Sequence, residues 1–146
     1  MGLTGAVVGW QAAAMTTNPA PGVWPSLRYR DAPAAVEFLT QAFGFEVSAD
    51  YREADDPSRV AHAELTWPLG GGVMLGSDRP SPGWPARPGT GAVYVMTDEP
   101  DALYERAVAA GAEVLREPAD TDYGSREFAV TDPEGNLWSF GTYRGA

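Results

Sequence analysis

No cysteine occurs in the chain, and all ten of its basic residues are arginine. The first absence removes disulfides, thiolate metal sites and cysteine nucleophiles together. The second removes the lysine Schiff base and the phosphate-loop lysine. Histidine is almost missing as well. His62 serves the whole sequence, so a two-histidine metal site cannot be assembled, and a Ser-His-Asp triad has a base but no nucleophile elbow. Basic charge is scarce: 20 acidic residues face 10 basic ones, for a formal net charge of -10. Such a surface repels phosphate backbones and anionic lipid, which makes nucleic acid and membrane poor partners. It suits a cationic small molecule. No hydrophobic run approaches the length of a membrane span. The opening "MGLTGAVVGWQAAA" lacks the basic start of a secretory signal, so a cytoplasmic protein is expected. Residues 1–22 are expected to form a flexible lead, with Met15 resembling a natural N-terminus. What remains is ordinary for one globular domain: 146 residues, 44% hydrophobic, enough to bury a sizeable core.

The strongest positive signal is internal repetition. "DAPAAVEFLTQAFGFEV" from Asp31 and "DEPDALYERAVAAGAEV" from Asp98 align Asp31 with Asp98, Pro33 with Pro100, Gly44 with Gly111, Glu46 with Glu113 and Val47 with Val114. The same offset brings Arg59 to Arg126. Several matches in register at structurally meaningful positions indicate a duplicated unit. Asp31 and Asp98 stand where N-caps belong, and the prolines fall in the first helical turn, where a missing N–H costs little. Val36, Leu39, Ala42 and Phe43 recur at helical spacing, as do Leu103, Ala107 and Ala110. Gly44 and Gly111 suit left-handed C-caps.

Each helix is preceded by a strand, "PSLRYR" from Pro25 or "AVYVMT" from Ala92. Three strands are expected after the first helix: Phe45 to Arg52, Arg59 to Trp67, and Gly72 to Ser77. Three more follow the second: Ala112 to Glu117, Arg126 to Thr131, and Asn136 to Tyr143. "PLGGG" and "DPEG" supply the hairpin turns. The carboxylates of "READD", Arg52 to Asp56, read as a solvated loop. The expected fold class is α+β: two βαβββ modules in tandem, about 23–77 and 91–144, joined by the Pro/Gly-rich linker 78–90. The pair forms a curved mixed sheet whose concave face is a ligand cavity lined by alternate strand residues.

The duplicated unit, with "FLTQAFGFEV", "HAELTW", "VMLGSD" and "DPEGNLWSF", resembles the vicinal oxygen chelate superfamily, which includes glyoxalase I, extradiol dioxygenases and the bleomycin-resistance proteins. Its wording is most similar to PhnB-like and glyoxalase-like bacterial members, over about Trp24 to Tyr143. The resemblance implies a divalent metal held by His and Glu ligands on the concave face, from the first and last strands of each module. The corresponding places here are Trp24, Ala92, Ser139 and, give or take one residue, Leu75. None is a good ligand for a site that needs converging N or O donors. No metal and no cofactor are therefore expected.

Alternation from these places puts Ser26, Arg28, Tyr94, Met96, Leu137 and Gly141 on the cavity face. His62 and Glu64 share one face of their strand, and the resemblance favours the cavity for them. Trp67 closes that strand, and Trp84 sits in the linker over the mouth. Arg28 can bind a carboxylate or phosphate, a role the resemblance to glyoxalase I also implies; the structural alternative is an ion pair with Glu64 or another carboxylate. Trp24 and Tyr94 can stack on a planar ligand or fill the space of the missing metal. His62 with Glu64 can move protons or form a purely structural pair. Tyr123 and Arg126 in "DTDYGSREF" border the ligand in similar proteins, although turn stabilisation accounts for them nearly as well. Trp138 and Phe140 are expected in the core.

The favoured function is metal-independent binding of the bleomycin-resistance type: a partly aromatic, cation-tolerant ligand held by Trp24, Arg28, His62, Glu64, Trp67, Tyr94, Tyr123 and Ser139. The alternative is a lyase, isomerase or dioxygenase that uses a displaced metal or acid–base chemistry at His62 and Glu64. A weaker alternative is a regulatory or structural dimer with a vestigial cavity. The resemblance implies a homodimer, and an exposed sheet edge makes one physically reasonable.

Overall fold

The computed structural model describes residues 20–146, so the flexible lead expected over 1–22 lies almost wholly outside the described residues. The element order is β1 (Ser26–Tyr29), α1 (Ala32–Phe38) continued by a π-helical turn (Leu39–Phe43), β2 (Glu46–Glu53), β3 (Asp56–Thr66), β4 (Gly72–Ser77), β5 (Ala92–Met96), α2 (Pro100–Ala109), β6 (Glu113–Asp120), β7 (Arg126–Thr131) and β8 (Leu137–Gly141). This is the βαβββ unit twice, in an α+β fold. Each unit forms a four-stranded mixed sheet, β1-β4-β3-β2 and β5-β8-β7-β6. In each, the first strand runs parallel to the last and the other pairings are antiparallel. "READD" straddles the β2–β3 hairpin. Glu53 lies in β2, where it pairs with Arg59 and Arg79, and only Ala54 and Asp55 form the turn.

The duplication is real but has slipped by one residue inside the first helix. The N-cap of α1 is Asp31, whose carboxylate accepts the Ala34 N–H at 3.1 Å. The N-cap of α2 is Glu99, not the expected Asp98, and it makes no side-chain cap bond. Asp98 instead pairs with Arg144. The helices begin at Ala32 and Pro100, yet both end at the left-handed glycines that match in the repeat, Gly44 and Gly111. The first helix therefore holds one extra residue, and the π turn absorbs it, a common helical response to an insertion. Its exposed carbonyls are met from the other module: Arg106 of α2 donates to Gln41 O at 2.8 Å and to Thr40 O at 3.1 Å. Gly44, at φ 92°, also lets the guanidinium approach; a Cβ there would lie 3.0 Å from Arg106 Nη1.

The core is shared by the modules. Ala63, Leu65, Val73 and Leu75 from the first sheet and Val95, Phe128, Val130, Trp138 and Phe140 from the second are all buried. Phe43 packs on Trp138 and Phe140 at 5.3 and 4.7 Å, and Phe45 on Trp138 at 5.7 Å. Burying such aromatic area is the main stabilising contribution. A polar knot crosses the same junction. Asp132, at the "DPEG" turn, is buried. It accepts the Tyr29 phenol O–H at 2.6 Å, the Trp138 indole N–H at 3.0 Å and the Asn136 amide at 3.0 Å. Glu134 reaches back to accept the Arg30 and Asp31 backbone N–H groups at 2.7 and 2.8 Å.

Tyr29→Phe is expected to lower stability by about 2 kcal/mol, since it removes one charge-assisted hydrogen bond to a buried carboxylate. Burial foremost, then the Asp132 charge, raises the Tyr29 phenol pKa far above its ordinary value. The unfolded chain releases this proton above pH about 10, while the folded chain retains it. Tyr29 therefore contributes stability that is full below that pH and declines above it. Urea denaturation at pH 7 and pH 10.5 checks both statements: Tyr29→Phe should be less stable at pH 7 and lose less on going alkaline. Gly44→Ala should cost about 1–2 kcal/mol in the same assay, combining a left-handed backbone with displacement of Arg106.

Candidate functional site

Strand alternation and the burial of one face decide which side chains are available to a ligand. On the first sheet, Ala63 and Leu65 turn to the core, so His62 and Glu64 turn to the open face. Glu64 lies opposite Met74, and Met74 opposite Ser26; two residues further along, Arg28 lies opposite Gly76. On the outer side, Tyr51 lies opposite His62 and Ala49 opposite Glu64. On the second sheet, Tyr94 lies opposite Ser139, Ser139 opposite Ala129, and Glu127 opposite Gly141. Trp138 and Phe140 are fully buried, as expected from their alternation with Ser139.

The fourth ligand place resolves to Met74. Leu75 is 2% exposed and faces the core with Ala63 and Leu65. The two hairpins close with Thr66 opposite Gly72 and Thr131 opposite Leu137. That correspondence superposes Met74 on Ser139 and Gly76 on Gly141. It was available from the equal lengths of the two turns.

The polar groups of the first open face are few and distinct. His62 Nε2 and Glu64 Oε2 stand 2.9 Å apart, both partly exposed. The ion pair of Arg28 with Glu64 or another carboxylate, the structural alternative to ligand binding, is not formed among the described residues. Instead the Arg28 guanidinium lies 4.8 Å from the centroid of the Trp84 ring. Gly76 makes room for it: a Cβ there would stand 3.3 Å from Arg28 Nη1. Trp84 thus comes from the linker onto the first open face, beside a cavity of about 370 Å³ lined by Asp78, Pro80, Ser81, Pro82 and Arg87. A cation over an indole face is attracted to it by its quadrupole, and the guanidinium edge keeps its donors for an anion.

The second open face is phenolic. Tyr94 donates to Tyr143 O at 2.7 Å and Tyr123 donates to Glu127 Oε1 at 2.8 Å. The Tyr94 phenol pKa is raised, chiefly by burial and then by the Glu127 charge. That of Tyr123 is raised chiefly by its hydrogen bond to Glu127. Arg126 does not join this group; it pairs with Asp101 and Asp120, just as Arg59 pairs with Glu53 in the first module.

Trp24 and Trp67 stand apart from these polar groups. Trp24 donates its indole N–H to Pro21 O at 3.1 Å, and its ring covers Gly72, where a Cβ would come within 2.9 Å. Trp67 sits between the modules, donating to Met96 O at 2.8 Å and packing on Phe45. It borders an apolar cleft of about 230 Å³ with Val23, Pro25, Val93 and Tyr94.

The two βαβββ units match a known family. The profile of the Glyoxalase/Bleomycin resistance protein/Dioxygenase superfamily matches residues 23–140. The chain belongs to this superfamily. It is 32% identical over 139 residues to the uncharacterized protein Rv0887c of Mycobacterium tuberculosis, covering 90% of this chain and 79% of that one. Among solved structures it resembles TioX from Micromonospora sp. ML1, with TM-score 0.67, 30% identity, and 82% of this chain and 98% of that chain covered. A glyoxalase I mutant from Zea mays shares the fold at TM-score 0.63 and 20% identity, with 82% of this chain spanning 44% of that longer one.

A divalent metal, usual for enzymes of such a fold, does not fit the donors present here. Trp24, Met74, Ala92 and Ser139 offer an indole, a thioether, a methyl group and a single hydroxyl, whereas hard divalent ions need several converging oxygens or imidazoles. Among the described residues, no group of three or more His, Asp or Glu comes together elsewhere.

Replacing Arg28 tests the open-face geometry. In protein labelled with 5-fluorotryptophan, Arg28→Met should shift the Trp84 fluorine resonance, assigned through Trp84→Phe, and leave those of Trp67 and Trp138 in place.

Proposed function

We propose that this protein binds a small molecule without a metal, using its two open sheet faces as the walls of the site. The observation that carries this reading is the composition of the four ligand places, which offer aromatic and apolar contact where metal donors would stand. Support comes from Arg28, held by Trp84 and Gly76 with no carboxylate partner among the described residues. A guanidinium that makes no internal ion pair is suited to a ligand carboxylate or phosphate. Aromatic surface at Trp84, Tyr94 and Tyr123 suits a planar ligand. Sequestration of such a ligand is the bleomycin-resistance type of function.

The same reading includes a second copy of the chain. Both sheets turn their apolar faces to one shared core, and no strand pairing joins them among the described residues. The open faces are therefore turned away from that core on opposite modules. A site enclosed by both needs the first sheet of one copy against the second sheet of another. Arg28, His62 and Glu64 would then meet Tyr94, Ser139 and Tyr123 of the partner copy. No described helix is long and apolar enough to cross a membrane.

One observation favours an enzymatic alternative: the contact between His62 and Glu64 on an open face has the geometry of a base and its orienting group.

The deciding experiment combines elemental analysis of untagged, dialysed protein with a fluorescence titration against 1-anilinonaphthalene-8-sulfonate, an anionic aromatic. Binding predicts less than about a tenth of an equivalent of transition metal, saturable dye uptake weakened roughly tenfold or more by Arg28→Met, and no more than an affinity change in His62→Ala. Near-stoichiometric metal that is lost in His62→Ala would overturn it in favour of the enzyme. Mixing Arg28→Met with Tyr94→Leu protein should restore dye binding at part of the sites if two copies share each site.

A further inference from the structure

The second open face groups Tyr94 and Tyr123 with two residues to which the preceding reading gives no role, Glu127 and Tyr143. Tyr94, Tyr123, Glu127 and Tyr143 together line an open depression of about 480 Å³. They come from four places in the chain: Tyr94 from β5, Glu127 from β7, Tyr123 from the turn before β7 and Tyr143 from the segment after β8. The rings of Tyr123 and Tyr143 meet edge-on, 5.7 Å apart at 83°, so one presents its face where the other presents its edge. Tyr94 is tied in by its bond to Tyr143 O. Its phenol lies over Gly141, where a Cβ would come within 2.9 Å of the Tyr94 oxygen. All three rings remain open to solvent, at 44%, 58% and 43%.

Tyr94 and Tyr123 are held by hydrogen bonds at their hydroxyls, and the Tyr143 ring packs against that of Tyr123, while all three stay partly exposed. The hydroxyls of Tyr94 and Tyr123 are already engaged, so what those two offer outward is π surface. Glu127 adds a full negative charge. Its Oε1 accepts the Tyr123 O–H, a bond that makes that ring more electron-rich, while Oε2 has no hydrogen-bond donor among the described residues. Several rings lining one depression beside a carboxylate form an arrangement that can recognise a bulky, weakly hydrated cation. An ammonium carrying alkyl groups cannot satisfy hydrogen-bond acceptors in the way a lysine does, but it gains from several ring faces together. The surrounding charge, -10 for the chain, raises the local concentration of such a cation. Arg116 of β6, opposite Ala129, shares this side of the sheet and works against it.

We propose that Tyr94, Tyr123 and Tyr143, with Glu127, form an aromatic cage for a quaternary or tertiary ammonium group. The assignment rests on the binding reading above and narrows it: the ligand carries an alkylated ammonium group, bound at the second-sheet wall of that site.

The test uses the full chain with ring-labelled tyrosine, titrated with choline and with its neutral isostere 3,3-dimethylbutan-1-ol and followed by NMR. Choline should move the resonances of Tyr94, Tyr123 and Tyr143 saturably, and the neutral isostere should bind about tenfold more weakly. Glu127→Gln, which keeps a hydrogen-bond acceptor for Tyr123, should weaken choline several-fold. Arg116→Gln should tighten it. Tyr143→Leu removes one wall and serves as the second variant if Glu127→Gln folds poorly. Equal binding of the two probes, or shifts at other tyrosines, would overturn the cage. Silence toward choline with retained uptake of 1-anilinonaphthalene-8-sulfonate at Arg28 would overturn the cage and leave the binding reading standing. Silence toward both would remove the two together.

Discussion

The carboxylate of Asp132 is the interaction on which the rest of the arrangement depends. It is buried where the modules meet, and its donors come from both. Tyr29 belongs to the first strand of the first module; Trp138 and Asn136 belong to the closing hairpin of the second. A buried charge without partners is strongly destabilising, whereas one with a full set of donors fixes the groups around it. Asp132 therefore sets the position of Trp138 as well as the register of the "DPEG" turn. Trp138 in turn receives Phe43 and Phe45 from the first module. The neighbouring Glu134 binds the backbone where α1 begins. One turn thereby fixes both the orientation of the modules and the start of the first helix.

Once the modules are locked through their apolar faces, both open faces must look outward. The two faces have evolved differently from a common plan. Gly76 and Gly141 hold equivalent places in the closing strands, and each allows a large side chain of the parallel neighbour to lie across the sheet. In the first module that side chain is Arg28, continuing to Trp84. In the second it is Tyr94, continuing to Tyr143. The same opening in the sheet thus holds a cation on one side and phenols beside a carboxylate on the other. A ligand spanning both faces would meet complementary polarity at its two ends.

Much of this was legible in the sequence because the repeat imposes strong local constraints. β4 and β7 have the expected bounds, Gly72–Ser77 and Arg126–Thr131, since each is a short apolar run bounded by turn residues. Gly44 and Gly111 mark the helix ends because only a left-handed residue fits there. The errors cluster where the two modules differ in length. Aligning Asp31 with Asp98 hides the extra residue of the π turn, so Asp98 was expected as a cap when Glu99 occupies that place. The fourth ligand place, expected at Leu75 within one residue, falls at Met74 on the open face, since a one-residue shift moves a strand side chain from one face to the other. Tertiary choices were not legible at all. Nothing in the local pattern of "ELTW" shows that Trp67 turns toward Met96 and the inter-module cleft. Nor does the linker sequence show that Trp84 takes the place of a carboxylate beside Arg28.

The loss of metal donors and the gain of aromatic surface are best understood as one change rather than two. A divalent ion supplies charge at a point, and the residues around it must be small, polar and fixed. With indole, thioether, methyl and hydroxyl at those four places, no such point of charge exists, and the sheet faces must attract a ligand by other means. Arg28 restores a positive group on the first sheet, positioned by a ring face rather than by a carboxylate that would neutralise it. Glu127 supplies a negative group on the second, and its bond to Tyr123 holds that phenol in its neutral form. Both charges are delocalised or shared with π surface, so both favour large, weakly hydrated partners over small ions. On the binding reading proposed above, selectivity for an organic ligand over a metal ion follows from the residue chemistry of the faces, while the buried Asp132 junction keeps those faces open.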